Sequence, residues 1–250
     1  MASILITGAG SGFGKGAAIE LSQRGHDVTA ATFMADEAAQ MAAEHPGLST
    51  ITLDVTSPSD VAQVADMSVD VLVNNAGRGL MAPLTNVPLD EVRKTFEVNV
   101  FGMLAMSQAV IPGMKELGSG LIINVSSIAG IMSGAMSAPY AMTKHAVEAL
   151  SVSLREELAP YGVDVTKINP GPYLTGFNDR MVDGIEVYLE PGDESAAAAH
   201  EFLKDVMKNQ ADPNEIVQAI ADLAEADQTP VETFLPEGIK EMLDEVLASR

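Results

Sequence analysis

Short apolar runs rich in β-branched residues alternate along the chain with longer segments in which apolar residues recur every three or four positions. The first pattern marks buried strands, and the second marks helices that bury one stripe. Strands are predicted over residues 3–7, 27–31, 49–53, 69–73, 121–125 and 164–168, with a seventh over 231–235. Helices are predicted between them, over 12–24, 36–44, 58–66, 89–115 and 140–159. Ser57-Pro58-Ser59-Asp60 reads as a helix start and Ala159-Pro160-Tyr161-Gly162 as a helix stop. This alternation predicts an α/β fold: one doubly wound domain over residues 1–250, its parallel sheet of about seven strands covered by helices on both faces. No repeat or low-complexity linker divides the chain. The region 171–212 breaks the pattern, mixing Gly, Pro and Asp with one helical stretch near 194–208. Such an insertion predicts a lid or binding loop, over about residues 176–212.

Composition narrows the partners. The 250 residues carry 35 acidic and 14 basic side chains, a formal charge of -21. So negative a chain repels nucleic acid and anionic membrane, which leaves a small molecule as the expected partner. The excess is concentrated late: residues 171–250 hold 18 acids against 5 bases, a solvated acidic face. Hydrophobic residues make up 47% of the chain, enough for a sizeable core. With no cysteine there is no disulfide framework, thiolate zinc site or cysteine nucleophile. His26, His45, His145 and His200 lack metal-ligand spacing, so no metal is expected. No apolar run approaches the roughly 18 residues that spanning requires, and Ile4-Leu5-Ile6 follows the N-terminus without a basic region. A cytoplasmic protein is the expectation.

The first predicted strand runs into Thr7-Gly8-Ala9-Gly10-Ser11-Gly12-Phe13-Gly14, and a helix follows at once. Glycines at 8, 12 and 14 permit a tight turn, close backbone approach to a pyrophosphate, and close packing of helix on strand. The phosphate charge would sit at the helix N-terminus. After the fourth strand come Asn74-Asn75-Ala76-Gly77, whose amides can tie neighbouring strands together or bound a cavity at the strands' carboxyl ends. Asn99 interrupts the apolar stretch Phe96-Glu97-Val98-Asn99-Val100-Phe101, where a helical amide needs partners. Ser127 lies just past a strand end, and Tyr140 and Lys144 are spaced to share one helix face. An ammonium beside a phenol favours the phenolate. Bringing a tyrosine from about 10 to neutrality takes about 4 kcal/mol, which one partly buried charge and a cationic cofactor ring can supply. Tyr140 could then serve as acid or base. No nucleophile-elbow sequence surrounds Ser126 or Ser127, which argues against a hydrolase.

Jointly these residues resemble the short-chain dehydrogenase/reductases, over residues 3–178. The resemblance is carried by Thr7 to Gly14, Leu53-Asp54-Val55, Asn74 to Gly77, Asn99, Ser127 thirteen residues before Tyr140, Lys144, and Pro170-Gly171 with Thr175. Within the family, the stretches 96–102 and 170–177 are most similar to the 17β-hydroxysteroid dehydrogenase subgroup. The resemblance implies a Rossmann-type fold and reversible hydride transfer between NAD(P)(H) and a secondary alcohol or ketone, or an aldehyde. It implies that Tyr140 exchanges the proton with the substrate oxygen and that Ser127 holds that oxygen. Lys144 would lower the tyrosine pKa and bind the nicotinamide ribose, and Asn99 would anchor a water linking Lys144 to solvent. The implied cofactor contacts are Gly8, Ser11, Gly12, Phe13 and Gly14 in the loop, and Asp54 and Val55 at the adenine. Asn75, Ala76 and Gly77 would border its ribose, with Pro170, Gly171 and Thr175 toward the pyrophosphate or carboxamide.

At the end of the second strand, Thr32 stands where NAD-preferring members carry Asp, and Phe33 where NADP-preferring ones often carry Arg. Ser11 lacks the positive charge that meets a 2′-phosphate and only Lys15 is near in sequence, so NAD(H) is expected over NADP(H). The substrate pocket is expected between residues 127–136 and the lid, with Met132, Tyr173, Phe177 and Met181 as apolar surface. In the family the long helices, here 89–115 and 140–159, pair across a two-fold, which implies a homodimer or homotetramer. The same frame could also serve a non-catalytic dinucleotide-binding sensor or scaffold, or a sugar-nucleotide epimerase or dehydratase. The joint presence of Ser127, Tyr140, Lys144 and Asn99 argues against the first, and the short chain after residue 178 against the second.

Overall fold

The computed structural model describes residues 1–249, apart from the side chains of Ser195 and Val206. It begins with β1 (Ser3–Thr7), α1 (Gly12–Gln23), β2 (Asp27–Thr32), α2 (Ala35–Glu44), β3 (Ser49–Thr52), α3 (Pro58–Val64) and β4 (Val71–Asn74). Next come α4 (Leu89–Phe96), a π-helical turn (Glu97–Gly102), α5 (Met103–Leu117), β5 (Gly120–Val125), α6 (Ala138–Leu158) and β6 (Val163–Pro170). The last part holds α7 (Phe177–Asp183), a short 3-10 turn (Gly184–Tyr188), α8 (Glu194–Val206), α9 (Asn214–Glu225), β7 (Glu232–Leu235) and α10 (Ile239–Ala248).

The seven strands pair in parallel throughout, in the order β3-β2-β1-β4-β5-β6-β7. Successive strand residues point to opposite faces. Ile4, Ile6, Val28, Ile123 and Ile168 pack with residues of α1 and α9, while Leu5, Leu72, Ile122 and Val165 pack with residues of α5 and α6. Burial on both faces is why the strands read as continuous apolar runs instead of alternating ones. The order reverses beside β1: the chain goes out to β2 and β3 on one side and returns to β4 on the other. The helices that follow β1 and β4 therefore pack on opposite faces of the sheet, and the crevice at the carboxyl ends of these strands is the natural ligand position of such a sheet.

Local chemistry sets the helix limits. α6 starts two residues earlier than the pattern predicts, because Pro139 is tolerated in a first turn, where no backbone N–H is required. The helix expected over 89–115 is two helices joined by the π turn. Asn99 sits in that wider turn and is fully buried. Its Oδ1 accepts from the Arg78 N–H at 2.7 Å, and its Nδ2 donates to the Arg78 carbonyl at 2.9 Å and to Thr143 Oγ1 at 3.0 Å. A π turn with a buried polar side chain of this kind commonly lies near a functional site.

The region 171–212 is more regular than expected, since α7 and the 3-10 turn precede α8. Met181, Val182, Ile185 and Ala196 of this region cluster with Met81, Met136 and Tyr140, apart from the two cores against the sheet. Buried His200 ties α8 to α7, its Nε2 2.9 Å from the Val182 carbonyl. Among the described residues, no helix is long and apolar enough to cross a membrane.

Candidate active site

Backbone shape opens the glycine loop. Gly8 and Gly12 have φ of 65° and 55°, a region that L side chains rarely enter. A Cβ on Gly8 would stand 2.7 Å from Ala76 Cα, so the loops after β1 and β4 touch backbone to backbone. Thr7 Oγ1 accepts from the N–H groups of Asn75 and Ala76, each at 3.0 Å. Asn75 Nδ2 returns two bonds of 3.0 Å to the carbonyls of Thr7 and Gly8. One strand further, Asn74 Nδ2 donates to Asn124 Oδ1 at 2.9 Å, so Asn74 stitches the strand ends while Asn75 also bounds a space. Ser11, at the N-cap of α1, gives no side-chain cap. The uncapped N–H groups there make an electropositive helix end.

These loops form one end of a cavity of about 710 Å³. From the expected set, Gly8, Ser11, Gly12, Phe13, Phe33, Asp54 and Val55 line it, as do Asn75, Ala76, Gly77, Pro170, Gly171 and Thr175. Ser127, Tyr140 and Lys144 line the same space. Three expected residues stand behind the wall. Gly14 packs against the Asn75 amide and the Gly8 carbonyl, serving the helix-on-strand contact. Thr32 is buried and donates to the Met34 carbonyl at 2.9 Å. Asn99 is committed to Arg78 and Thr143, as described. Of the apolar residues expected in the substrate region, Phe177 and Met181 line the cavity whereas Met132 and Tyr173 do not. Tyr173 is turned away, its ring edge-on to Phe13 at 5.5 Å and its hydroxyl donating to Glu215 at 2.7 Å.

Ser127 lies two residues past the end of β5, and its Oγ accepts from the Ala129 N–H at 3.1 Å. Its neighbour Ser126 donates its hydroxyl to Glu148, which leaves Ser127 as the serine beside Tyr140. The Tyr140 ring is buried against Phe177, centroids 5.9 Å apart. Lys144 donates its ammonium to the Val125 carbonyl at 2.8 Å and lies 5.7 Å from the Tyr140 ring centroid. Burial drives the Tyr140 pKa well above its ordinary value, with the Ser127 hydroxyl acting the other way. Burial also brings Lys144 down to about 8, and the Glu148 carboxylate opposes it. The direction at Tyr140 is opposite to the lowering expected from its lysine neighbour. Desolvation of a buried phenolate outweighs an ammonium that is directed at a backbone carbonyl.

Three charged residues outside the sequence-based set line the cavity: Glu37, Arg78 and Arg180. The Glu37 carboxylate lies against Gly10, and its Oε2 accepts from the Met34 N–H at 3.4 Å. Its position in the first turn after the second strand was the available signal, since that turn must face the carboxyl edge of the sheet. Arg78 is held by the carboxylate and carbonyl of Glu91. Lys15, the cation nearest the loop in sequence, pairs with Glu44 at 3.4 Å.

A glycine loop at the switch point of a parallel sheet, sharing one cavity with Ser, Tyr and Lys, defines an oxidoreductase that uses a nicotinamide dinucleotide. The short chain dehydrogenase family matches residues 2–186, and the chain belongs to that family. It is 36% identical to human 17-beta-hydroxysteroid dehydrogenase type 1 over 204 residues, covering 76% of this chain and 62% of the relative. The crystal structure of a short-chain dehydrogenase from Streptomyces avermitilis superposes with a TM-score of 0.86 at 30% identity, covering 99% of this chain and 93% of that one. A 7 alpha-hydroxysteroid dehydrogenase complexed with NADH and 7-oxo glycochenodeoxycholic acid is similar too, with a TM-score of 0.79, 27% identity, and coverage of 95% and 93%. Other solved neighbours hold NADP+ or NADPH.

Proposed function

We propose that this protein transfers a hydride reversibly between NAD(H) and a secondary alcohol or ketone, or an aldehyde, with Tyr140 as the acid or base. One observation carries the reading: Ser127, Tyr140 and Lys144 line the same cavity as the glycine loop. The residues fit a dinucleotide, because the loop offers an uncapped helix N-terminus beside glycines whose missing Cβ atoms leave room for close approach. When bound, the nicotinamide ring supplies or accepts the hydride. Gly8, Ser11, Gly12 and Phe13 would hold the pyrophosphate, Asp54 and Val55 the adenine, and Asn75 to Gly77 its ribose. Pro170, Gly171 and Thr175 would serve the nicotinamide end, and Lys144 would bind the ribose there.

Ser127 Oγ holds the substrate oxygen. Tyr140, kept protonated by its burial, gives its proton to that oxygen as the carbonyl is reduced. Phe177 and Met181 place α7 over Tyr140, so the segment 176–212 acts as a lid that excludes water and offers an apolar wall. Glu37 favours NAD(H), since its carboxylate beside Gly10 repels a 2′-phosphate that no nearby lysine would offset. Asn99 acts indirectly, through the Arg78 backbone that it fixes. The assembly is a homodimer or homotetramer, with exposed Phe101, Met142 and Val152 on the helices that would pair.

The test is a panel of ketones, aldehydes and alcohols followed by the absorbance of reduced nicotinamide, run beside Tyr140→Phe. Turnover of an apolar carbonyl compound is expected, falling about 10²- to 10⁴-fold in the variant while dinucleotide binding persists. Unchanged turnover in Tyr140→Phe would overturn the reading.

A further inference from the structure

One turn beyond Lys144 on α6 stands Glu148, whose carboxylate is where three elements meet. Its Oε1 accepts from Ser126 Oγ, just past β5, and from Asn169 Nδ2 of β6 at 2.6 Å. Its Oε2 pairs with Lys167 of β6. Asn169 Nδ2 also reaches the Ser127 carbonyl at 3.3 Å. Lys167 continues to Glu232 of β7 at 3.3 Å, and Glu232 meets Lys240 of α10 at 2.8 Å. The Glu148 and Lys167 side chains are only 12% and 6% exposed, so both charges are largely desolvated. A Cβ on Gly130 would stand 2.9 Å from Glu148 Cγ and 3.0 Å from the Lys144 carbonyl. The loop that follows Ser127 therefore rests directly on this turn of α6.

Closure of the sheet does not require the cluster, because β5 and β6 are already paired from Gly120 to Val125. A buried ion pair is weak as a source of stability, and apolar residues of similar volume often serve as well. The charge has a different use here. We propose that Glu148 is a positioning residue for the reaction, fixing the Ser127 loop against the Tyr140–Lys144 face of α6 and setting its carboxylate one turn from Lys144, with Lys167 as the counter-ion of that carboxylate. This rests on the roles of Ser127, Tyr140 and Lys144 proposed above.

The groups that bear on Lys144 are Tyr140 and Glu148 on its own helix, the Val125 carbonyl of β5, and Lys167 of β6 through Glu148. Burial lowers the lysine to about 8 and Glu148 acts against it, so removing the anion makes Lys144 lose its proton sooner. Removing the Lys167 cation leaves Glu148 less neutralised and does the reverse. By taking the Ser126 hydroxyl, Glu148 also leaves Ser127, of these two neighbouring serines, to hold a substrate oxygen.

The experiment compares wild type, Glu148→Gln and Lys167→Gln, measuring kcat/KM for NADH against pH, which reports groups of the free enzyme. The alkaline limb is expected about one pH unit lower in Glu148→Gln and displaced to higher pH in Lys167→Gln. A purely structural role would lower kcat/KM at every pH and leave both limbs in place, and that result would overturn the proposal. Should Glu148→Gln not fold, the limb of Lys167→Gln decides alone: upward supports, unmoved refutes. The Lys144 proton is also read directly, by NMR of lysine labelled at the ε carbon, in the same three proteins. A wild type that turns over no NADH would then count against the proposed function, while the spectra would still decide the role of Glu148.

Discussion

Lys144 gives its ammonium to the Val125 carbonyl at 2.8 Å, not to Tyr140 one turn earlier, whose ring centroid is 5.7 Å away. The buried cation is held by a backbone dipole, and its pKa falls from 10.5 to about 8. A lysine whose folded pKa lies below its unfolded value costs stability in full below the folded pKa. That cost fades as pH rises from about 8 to 10.5, where the unfolded chain binds the extra proton. At neutral pH, Lys144→Met should therefore melt no lower than wild type while losing nearly all turnover. Any advantage of the variant should shrink between pH 7 and 9.5 in the same melts. A clear fall in its melting temperature at pH 7 would show instead that the ammonium is a net structural asset.

The three residues proposed for the chemistry were legible because their spacing occurs together with the glycine loop in one chain. Tyr140 and Lys144 share a face on any α-helix, and Ser127 follows a strand whose apolar run ends at Val125. The glycine loop was legible in turn, being continuous in sequence. Glu148 was not, since its partners Ser126, Lys167 and Asn169 lie on other elements, and Glu37 showed only its place in the first turn of α2, its approach to Gly10 depending on the fold. The end of β6 also depends on a distant strand. Pairing of Asn169 with Phe234 and Pro170 with Leu235 extends it past the predicted limit. α7 escaped because its seven residues carry few apolar positions and fold by covering Tyr140. The direction of the Tyr140 shift escaped as well, because it depends on burial, which residue spacing does not report.

The proposed preference for NAD(H) rests on Glu37. The Glu37 carboxylate lies against Gly10; there it would accept hydrogen bonds from ribose hydroxyls but would meet a 2′-phosphate as a like charge. Glu37→Gln keeps an acceptor for the Met34 N–H and removes only the charge. The ratio of kcat/KM for NADPH to that for NADH should then rise about tenfold, the size of one moderately screened like-charge interaction at close range. Calorimetric titration with NAD+ and NADP+ should show the same change in binding without any reaction. A ratio that does not move would remove Glu37 from the account of cofactor choice.

Gly8 and Gly113 make a matched pair for what the backbone of the loop demands of its residues. Gly8 combines a φ of 65° with a Cβ position 2.7 Å from Ala76 Cα, backbone that cannot move without disturbing the Thr7 and Asn75 hydrogen bonds. Gly113 lies exposed within α5, and beyond its neighbours and its own helix backbone no heavy atom comes within 4 Å of its Cβ position. Gly8→Ala should lose about 1–3 kcal/mol in denaturant unfolding, because both conformation and space oppose the methyl group. Gly113→Ala should gain about 0.5–1 kcal/mol, the ordinary return for replacing glycine inside an exposed helix. The two variants should also part in ligand binding: Gly8→Ala displaces the loop from β4 and weakens dinucleotide affinity beyond its effect on folding, whereas Gly113→Ala leaves affinity alone. Equal losses of stability in both, or full affinity in Gly8→Ala, would mean that the contact between the two loops does not shape the binding end of the cavity.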